Sequence, residues 1–222
     1  MGINSIRPKR PLLRMFNWGV VLSILYLLVI SCAPKKTKSD IDIEFVQDTL
    51  HLGYTYWWPE SGPFIGNCGD ELSLVFAGNI VQLDDPSDDP GPLYTAQKGI
   101  VALEKVFKIK DLGENSYANQ KFMTADCFFD SGLSVGDTVL VFCYDYEGKY
   151  SIPGKTSILK ISSFEDETIK SIKAYIDADE NPLAIRTDIE LWEQQSLGHK
   201  LEMIIECRNE LKSLENQMRQ TE

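Results

Sequence analysis

The fold is decided by Leu72-Ser-Leu-Val-Phe-Ala-Gly-Asn-Ile-Val-Gln-Leu83, a stretch rich in branched and aromatic residues. Such side chains fit the pleated surface of a β-strand. Gly78 interrupts the stretch, and a glycine inside a strand is typical of a bulge at which the strand bends. The sequence therefore predicts a long, curved, central strand over residues 72–83.

Further segments of the middle of the chain have the same β character. The clearest is 138–144, in which apolar residues occupy both faces, so a strand here should be buried on both sides. Segments 94–109, 120–124 and 149–161 are also strand-like, and Gly148 marks a turn. Short strands separated by turn residues indicate a barrel or a sandwich.

The apolar spacing becomes helical after Ser163. Apolar residues recur at three- and four-residue steps from Ile169 to Ile176, and the hydroxyls of Ser162 and Ser163 suit a helix N-terminus. Beyond Pro182 a second such pattern runs to Leu214 in a strongly charged background. We expect a helix packed on the barrel with a frayed end, with a sustained coiled coil as the alternative.

The N-terminal segment 1–31 has the order of a secretory signal, with four cations and no acid in its first 14 residues and then an apolar run. The run ends in Val29-Ile30-Ser31-Cys32, which resembles the lipobox of bacterial lipoproteins, whose cysteine receives a diacylglycerol. We predict cleavage before Cys32, lipidation of Cys32 and a flexible tether over 32–40. A retained anchor is the alternative, but the apolar run is shorter than the ~20 residues of a spanning helix.

The charge of the chain limits the classes of partner that we expect it to bind. Removing the four cations before Cys32 changes the formal net charge from −11 to −15. Nucleic acids and anionic lipid head groups bind clustered cations, so an acidic chain is a poor candidate for binding either. We therefore expect no nucleic-acid partner, and we expect the lipid alone to contact the membrane. In some bacteria an acidic residue directly after the lipidated cysteine retains a lipoprotein in the inner membrane, and this chain has Ala33 at that position. The resemblance to bacterial lipoproteins therefore implies an outer-membrane address, on the periplasmic face or the cell surface.

The order of strands, glycines and cysteines over about residues 66–176 resembles the netrin-module and tissue-inhibitor-of-metalloproteinases-like group. The likeness rests on Leu74–Val81, Val101–Ile109, Cys127, Gly132–Phe142 and Gly148-Lys149-Tyr150. It implies a β-rich α+β protein built on a five-stranded Greek-key barrel of OB type with C-terminal flanking helices. We divide the chain accordingly into an aromatic segment that wraps the barrel (41–66), the barrel (67–162) and the C-terminal helices (163–222).

The same resemblance implies a disulfide between Cys68 and Cys127. Cys143 would then lie in the core and Cys207 on a helix facing the barrel, although these two thiols could also pair. Inhibitors of this group chelate the zinc of their target protease through a free N-terminal cysteine. Here Cys68 is internal and Cys32 is expected to carry lipid, so protease inhibition is only a minor alternative.

The densest aromatic run is Tyr54-Thr-Tyr-Trp-Trp58. If exposed, Tyr56, Trp57 and Trp58 would contact a partner protein or stack against a sugar; if buried, they would plug one end of the barrel. Successive residues of an extended chain point to opposite sides, so one of the two tryptophans is the better candidate for exposure.

Metal and catalytic sites are not predicted. The four carboxylates within 84–89 are interpreted as a solvated hairpin tip in preference to a weak calcium site. Asp177, Asp179 and Asn181 imitate a calcium loop, but Pro182 stands where that loop needs a glycine. The sequence contains no phosphate-binding loop and no His-Glu-x-x-His, and we predict neither an enzyme nor a cofactor.

Together these features predict a non-catalytic, lipid-anchored binding or adaptor module of a bacterial cell envelope that holds a protein or a glycan. The alternative is a structural accessory subunit that docks on a larger complex through its acidic C-terminal helix, around Glu202–Met218.

Overall fold

The computed structural model describes residues 37–58, 61–66, 68–69, 71–89 and 93–221. The signal segment, Cys32 and the first residues of the tether lie outside that part of the chain, and their assignment stays a prediction. Within the described ranges, no helix combines the length and the apolar character that crossing a bilayer requires.

The described chain is a β-rich α+β protein, as predicted. Its strands are β1 (Val46–His51), β2 (Gly53–Thr55), β3 (Leu72–Leu83), β4 (Gly99–Ile109), β5 (Gln120–Ala125), β6 (Thr138–Tyr146), β7 (Lys149–Pro153) and β8 (Ile158–Lys160). Its α-helices are α1 (Glu167–Asp177), α2 (Ile189–Glu193) and α3 (Gly198–Thr221), and short 3-10 helices occupy Gly113–Asn115, Lys155–Ser157 and Pro182–Ile185.

All of these strands belong to one sheet, in the order β1-β5-β4-β3-β6-β7-β2, with β8 paired to β6. Strands β3, β4 and β5 form consecutive antiparallel pairs, and β6 returns to lie beside β3, which is the Greek-key order. The sheet has eight strands instead of the five expected. The N-terminal segment contributes two of them, and residues 149–161 form two short strands, β7 and β8.

The N-terminal segment covers both edges of the sheet. Strand β1 runs parallel to β5, and β2 runs parallel to β7 at the other end of the strand order. Only Leu52 separates β1 from β2, so the sheet curls into a half-barrel whose two edges meet the same stretch of chain. The side chain of Leu52 is buried inside this curled sheet.

Strand β3 bends at Gly78, as predicted. Its register with β4 shifts between Ala77 and Gly78. A Cβ atom at Gly78 would lie 2.2 Å from the backbone oxygen of Ala102, so only glycine allows β4 to approach this closely. The bulge thereby increases the curvature of the central strands.

The sheet separates two apolar cores. The concave interior contains, among others, Phe76, Val101, Met123, Val141 and Ile152. The convex face packs against the helices, and the largest fully buried side chains there belong to Phe142, Tyr175 and Trp192. Strand β6 supplies residues to both cores, which confirms that it is buried on its two faces.

The N-terminal cap of helix α1 differs from the prediction. Helix α1 is capped by Asp166, whose side chain accepts a hydrogen bond from the backbone N–H of Thr168. Ser162 donates to the same carboxylate from its N–H and its hydroxyl, so the serine supports the cap without being it. Helix α3 continues to Thr221.

Residues 37–40, the end of the predicted tether, are bound to α1. The carboxylate of Asp177 accepts hydrogen bonds from the N–H of Ser39 at 2.9 Å and from its hydroxyl at 3.1 Å, and Ser39 is buried. Lys38 forms an ion pair with Asp179, and Lys173 pairs with Asp40. Asp177 and Asp179, whose spacing resembles that of a calcium-binding loop, thus hold Lys38 and Ser39 in place.

Candidate functional site: an aromatic strip

Five aromatic side chains meet on the surface and form what we call the aromatic strip: Tyr94, Tyr54, Tyr56, Trp57 and Tyr146. The ring centroids lie 5.4 Å apart for Tyr54 and Tyr94, 4.7 Å for Tyr56 and Tyr94, and 4.9 Å for Tyr56 and Trp57. The strip ends at Tyr146, whose ring is 5.9 Å from that of Trp57. These edge-to-face and tilted contacts are favourable between aromatic rings.

Strand pairing positions the strip. Strand β2 runs along β7, next to β6, and the chain turns directly after it, with Trp58 N–H donating to the Thr55 carbonyl at 3.1 Å. The hydroxyl of Tyr144 donates to the buried hydroxyl of Thr55 at 2.8 Å and so ties the base of this turn to β6. The turn therefore holds Tyr56 and Trp57 beside Tyr146, at the end of β6.

The two tryptophans differ in exposure, but they lie in a turn and not in the extended chain from which an alternation was predicted. Trp57 is 54% exposed. Trp58 is half-buried, packs against the helix-side core and lies 5.0 Å from the ring of Tyr144. Of the three predicted binding residues, Tyr56 and Trp57 belong to the strip, whereas Trp58 anchors the turn that carries it.

The pKa values of Tyr54 and Tyr94 are both raised, so these two phenol groups are uncharged at neutral pH. Burial raises the pKa of Tyr94, and the hydrogen bond that its hydroxyl donates to the Asp126 carboxylate raises it further. Burial also raises the pKa of Tyr54, with smaller contributions from Cys127 and Asp126. The strip thus offers aromatic ring faces with the Asp126 carboxylate beside Tyr94, a combination suited to stacking and hydrogen bonding.

Sequence reasoning missed Tyr94 and Tyr146. Both lie far from residues 54–58 in the chain, and only the pairing of β2 with β7 and the course of the segment before β4 bring them together. Their aromatic character was the one available signal.

The disulfide prediction is wrong in its partner. Cys68 is bonded to Cys207 of α3, with Cα atoms 5.5 Å apart, and Cys127 is a buried free thiol. The reason is the sheet between them, because the next residue, Gly69, contacts Tyr175 and Ile204 on the helix side while Cys127 lies in the concave interior. Cys143 is a core residue, as expected.

Other candidate sites do not assemble. The described residues contain no group of His, Cys, Asp or Glu side chains arranged to hold a metal ion. Gly132-Leu-Ser-Val-Gly136 matches the Gly-x-Ser-x-Gly spacing of hydrolases, whose serine lies between a strand and a helix. Here Ser134 lies in a turn that leads into β6, and its N–H donates to the carboxylate of Asp137 at 2.9 Å.

The aromatic strip is therefore the feature of the described chain best suited to contact a ligand. Neither a family model nor a curated protein matches this chain.

Proposed function

We propose that this protein is a non-catalytic, lipid-anchored binding module of a bacterial cell envelope, and that the aromatic strip holds an envelope protein or a glycan. The observation that carries the proposal is Trp57, which is more than half exposed and lies between the rings of Tyr56 and Tyr146. An exposed tryptophan held by rigid neighbours provides a large contact area and loses little conformational freedom on binding.

The proposed address is the outer membrane. The signal-like segment before Cys32 supports lipid attachment, and the Cys68–Cys207 disulfide suits an exported, oxidising compartment. Replacing Cys32 by Ala should abolish fatty-acid labelling of the protein and release it from the membrane fraction.

We also propose that the curled sheet is a variant of the OB-type barrel. The Greek-key order of β3, β4, β5 and β6 supports this, and the N-terminal segment would close the barrel where β1 and β2 meet. The different disulfide argues against a close likeness to the netrin-module group, and nothing in the site supports protease inhibition.

The test of function is affinity capture from solubilised envelopes with the full lipoprotein as bait. Trp57→Ala is compared with Val135→Ala, a matched control because Val135 is also exposed but lies in the turn before β6. A stoichiometric protein or glycan should be retained by the wild type and by the control, and its recovery should fall about tenfold or more with Trp57→Ala.

Equal recovery by the two variants would contradict binding at the strip. Proteins and glycans are identified separately in the eluate, so the experiment also distinguishes the two classes of ligand.

A further inference from the structure

The second half of α3 projects from the domain. The Cys68–Cys207 disulfide fixes the helix at its middle, and every position from 211 to 220 is exposed. The 14 residues after Cys207 that remain helical extend about 20 Å at 1.5 Å per residue. A single projecting helix of this length is only marginally stable in water unless something packs against it.

An apolar stripe runs along this projection. Ile204, Cys207, Leu211, Leu214 and Met218 follow one another at alternating three- and four-residue steps, the heptad spacing of positions a and d in a coiled coil. The first two are used within the domain, one in the helix-side core and one in the disulfide. Leu211 and Leu214 continue the stripe but are 43% and 54% exposed.

We propose that this stripe pairs with the same stripe of a second copy of the chain, with the two helices antiparallel. The charges beside the stripe favour this occupant and this direction. The residues flanking it are Arg208 and Glu215 on one side and Glu210 and Gln217 on the other. A parallel pair would place Glu215 beside Glu210 of the other copy, which is repulsive.

An antiparallel pair brings Arg208 beside Glu215 of the other copy. Two-fold symmetry repeats the contact, so the pair gains two attractive contacts and no like-charge contact. Leu211 of each copy then packs against Leu214 of the other copy at the centre of the crossing. The proposal does not depend on the aromatic strip, which lies elsewhere on the chain.

The pairing is weak in solution because the contact is short. Stable interfaces bury about 1,200 Å² or more in total, and a crossing of a few helical turns falls below this. Lipid anchors would hold copies at one surface and raise their effective concentration. Each domain is fixed to its helix by the disulfide, so pairing would set the distance between neighbouring domains.

The test is sedimentation equilibrium of the full lipoprotein in density-matched detergent over a wide concentration range. Glu215→Arg should weaken association about tenfold, since two attractive contacts become repulsive. Glu206→Arg is the matched control, because it makes the same change of charge at an exposed position away from the stripe. Adding Arg208→Glu to Glu215→Arg should restore association, because positions 208 and 215 then carry opposite charges again, with their signs exchanged.

Leu214→Asp provides a second measurement that does not depend on charge pairing. Position 214 is exposed, so the substitution should leave thermal unfolding unchanged while abolishing association. A wild type that stays monomeric at all concentrations would overturn the proposal, and so would stronger association of Glu215→Arg, which indicates a parallel pair. If the wild type is monomeric and Leu214→Asp prevents capture of a different protein, the stripe serves that partner instead.

Discussion

Breaking the Cys68–Cys207 disulfide should lower the free energy of unfolding by several kcal/mol. The bond joins residues 139 positions apart, so it restricts the unfolded chain over most of the domain. The chain-entropy relation gives about 5 kcal/mol for a loop of this length, and removal of native disulfides typically costs about 2–5 kcal/mol. With an m-value of about 2 kcal/mol/M, the urea midpoint should fall by about 1–2.5 M.

The assay is urea unfolding of the full protein in detergent, followed by far-ultraviolet circular dichroism with and without dithiothreitol. The double variant Cys68→Ser/Cys207→Ser is the control, because it should match the reduced wild type and should not respond to the reductant. A wild type whose midpoint is insensitive to reduction would refute the reasoning. A reductant-sensitive Cys68→Ser variant would instead indicate a different pair of cysteines.

Three further predictions concern the fold. Gly78→Ala should destabilise the protein by about 1–3 kcal/mol in urea unfolding, because its Cβ would press on the Ala102 carbonyl; an unchanged midpoint would mean that the bulge relaxes freely. Asp166→Ala should cost about 1 kcal/mol at neutral pH through loss of the helix cap. Burial opposes ionisation of Asp166, but the hydrogen bonds from Ser162 and Thr168 outweigh it and lower its pKa to about 2, from 3.8. The stabilisation is therefore present above about pH 4 and should be lost as the pH falls towards 2, so the difference between wild type and Asp166→Ala should shrink over that range; a constant difference would exclude the carboxylate as its source. Asp177→Ala should expose Lys38 to trypsin with little effect on global unfolding, because it removes both acceptors of Ser39; unchanged cleavage would show that other contacts hold the segment.

The central strands could be predicted because their signals are local. Strand β3 begins and ends where its apolar run does, at Leu72 and Leu83, and the two apolar faces of β6 are readable from its alternation. Helix α1 was also predicted, but its cap was placed at the serines instead of Asp166. Ser162, Ser163 and Asp166 could each cap the helix, and the sequence alone does not show which of them does.

The parts that failed depend on non-local contacts. Strands β1 and β2 pair in parallel with strands about 70 and 100 residues away, which no local pattern indicates. The disulfide depends on the face of the sheet that carries α3, and the family resemblance suggested the other face. In the site, the density of aromatic residues indicated Tyr56 and Trp57, whereas Tyr94 and Tyr146 reach them only through the folded sheet.

The most direct test of the central claim is photo-crosslinking in living cells from the exposed tryptophan of the aromatic strip. The photoreactive residue p-benzoyl-phenylalanine replaces Trp57 in one strain and the equally exposed Val135 in another. If the strip binds a ligand, position 57 should give a discrete adduct with a protein, or an adduct that stains for glycan. Position 135 should give neither. The absence of any adduct from position 57, or the same adducts from both positions, would contradict the claim that the strip binds a ligand.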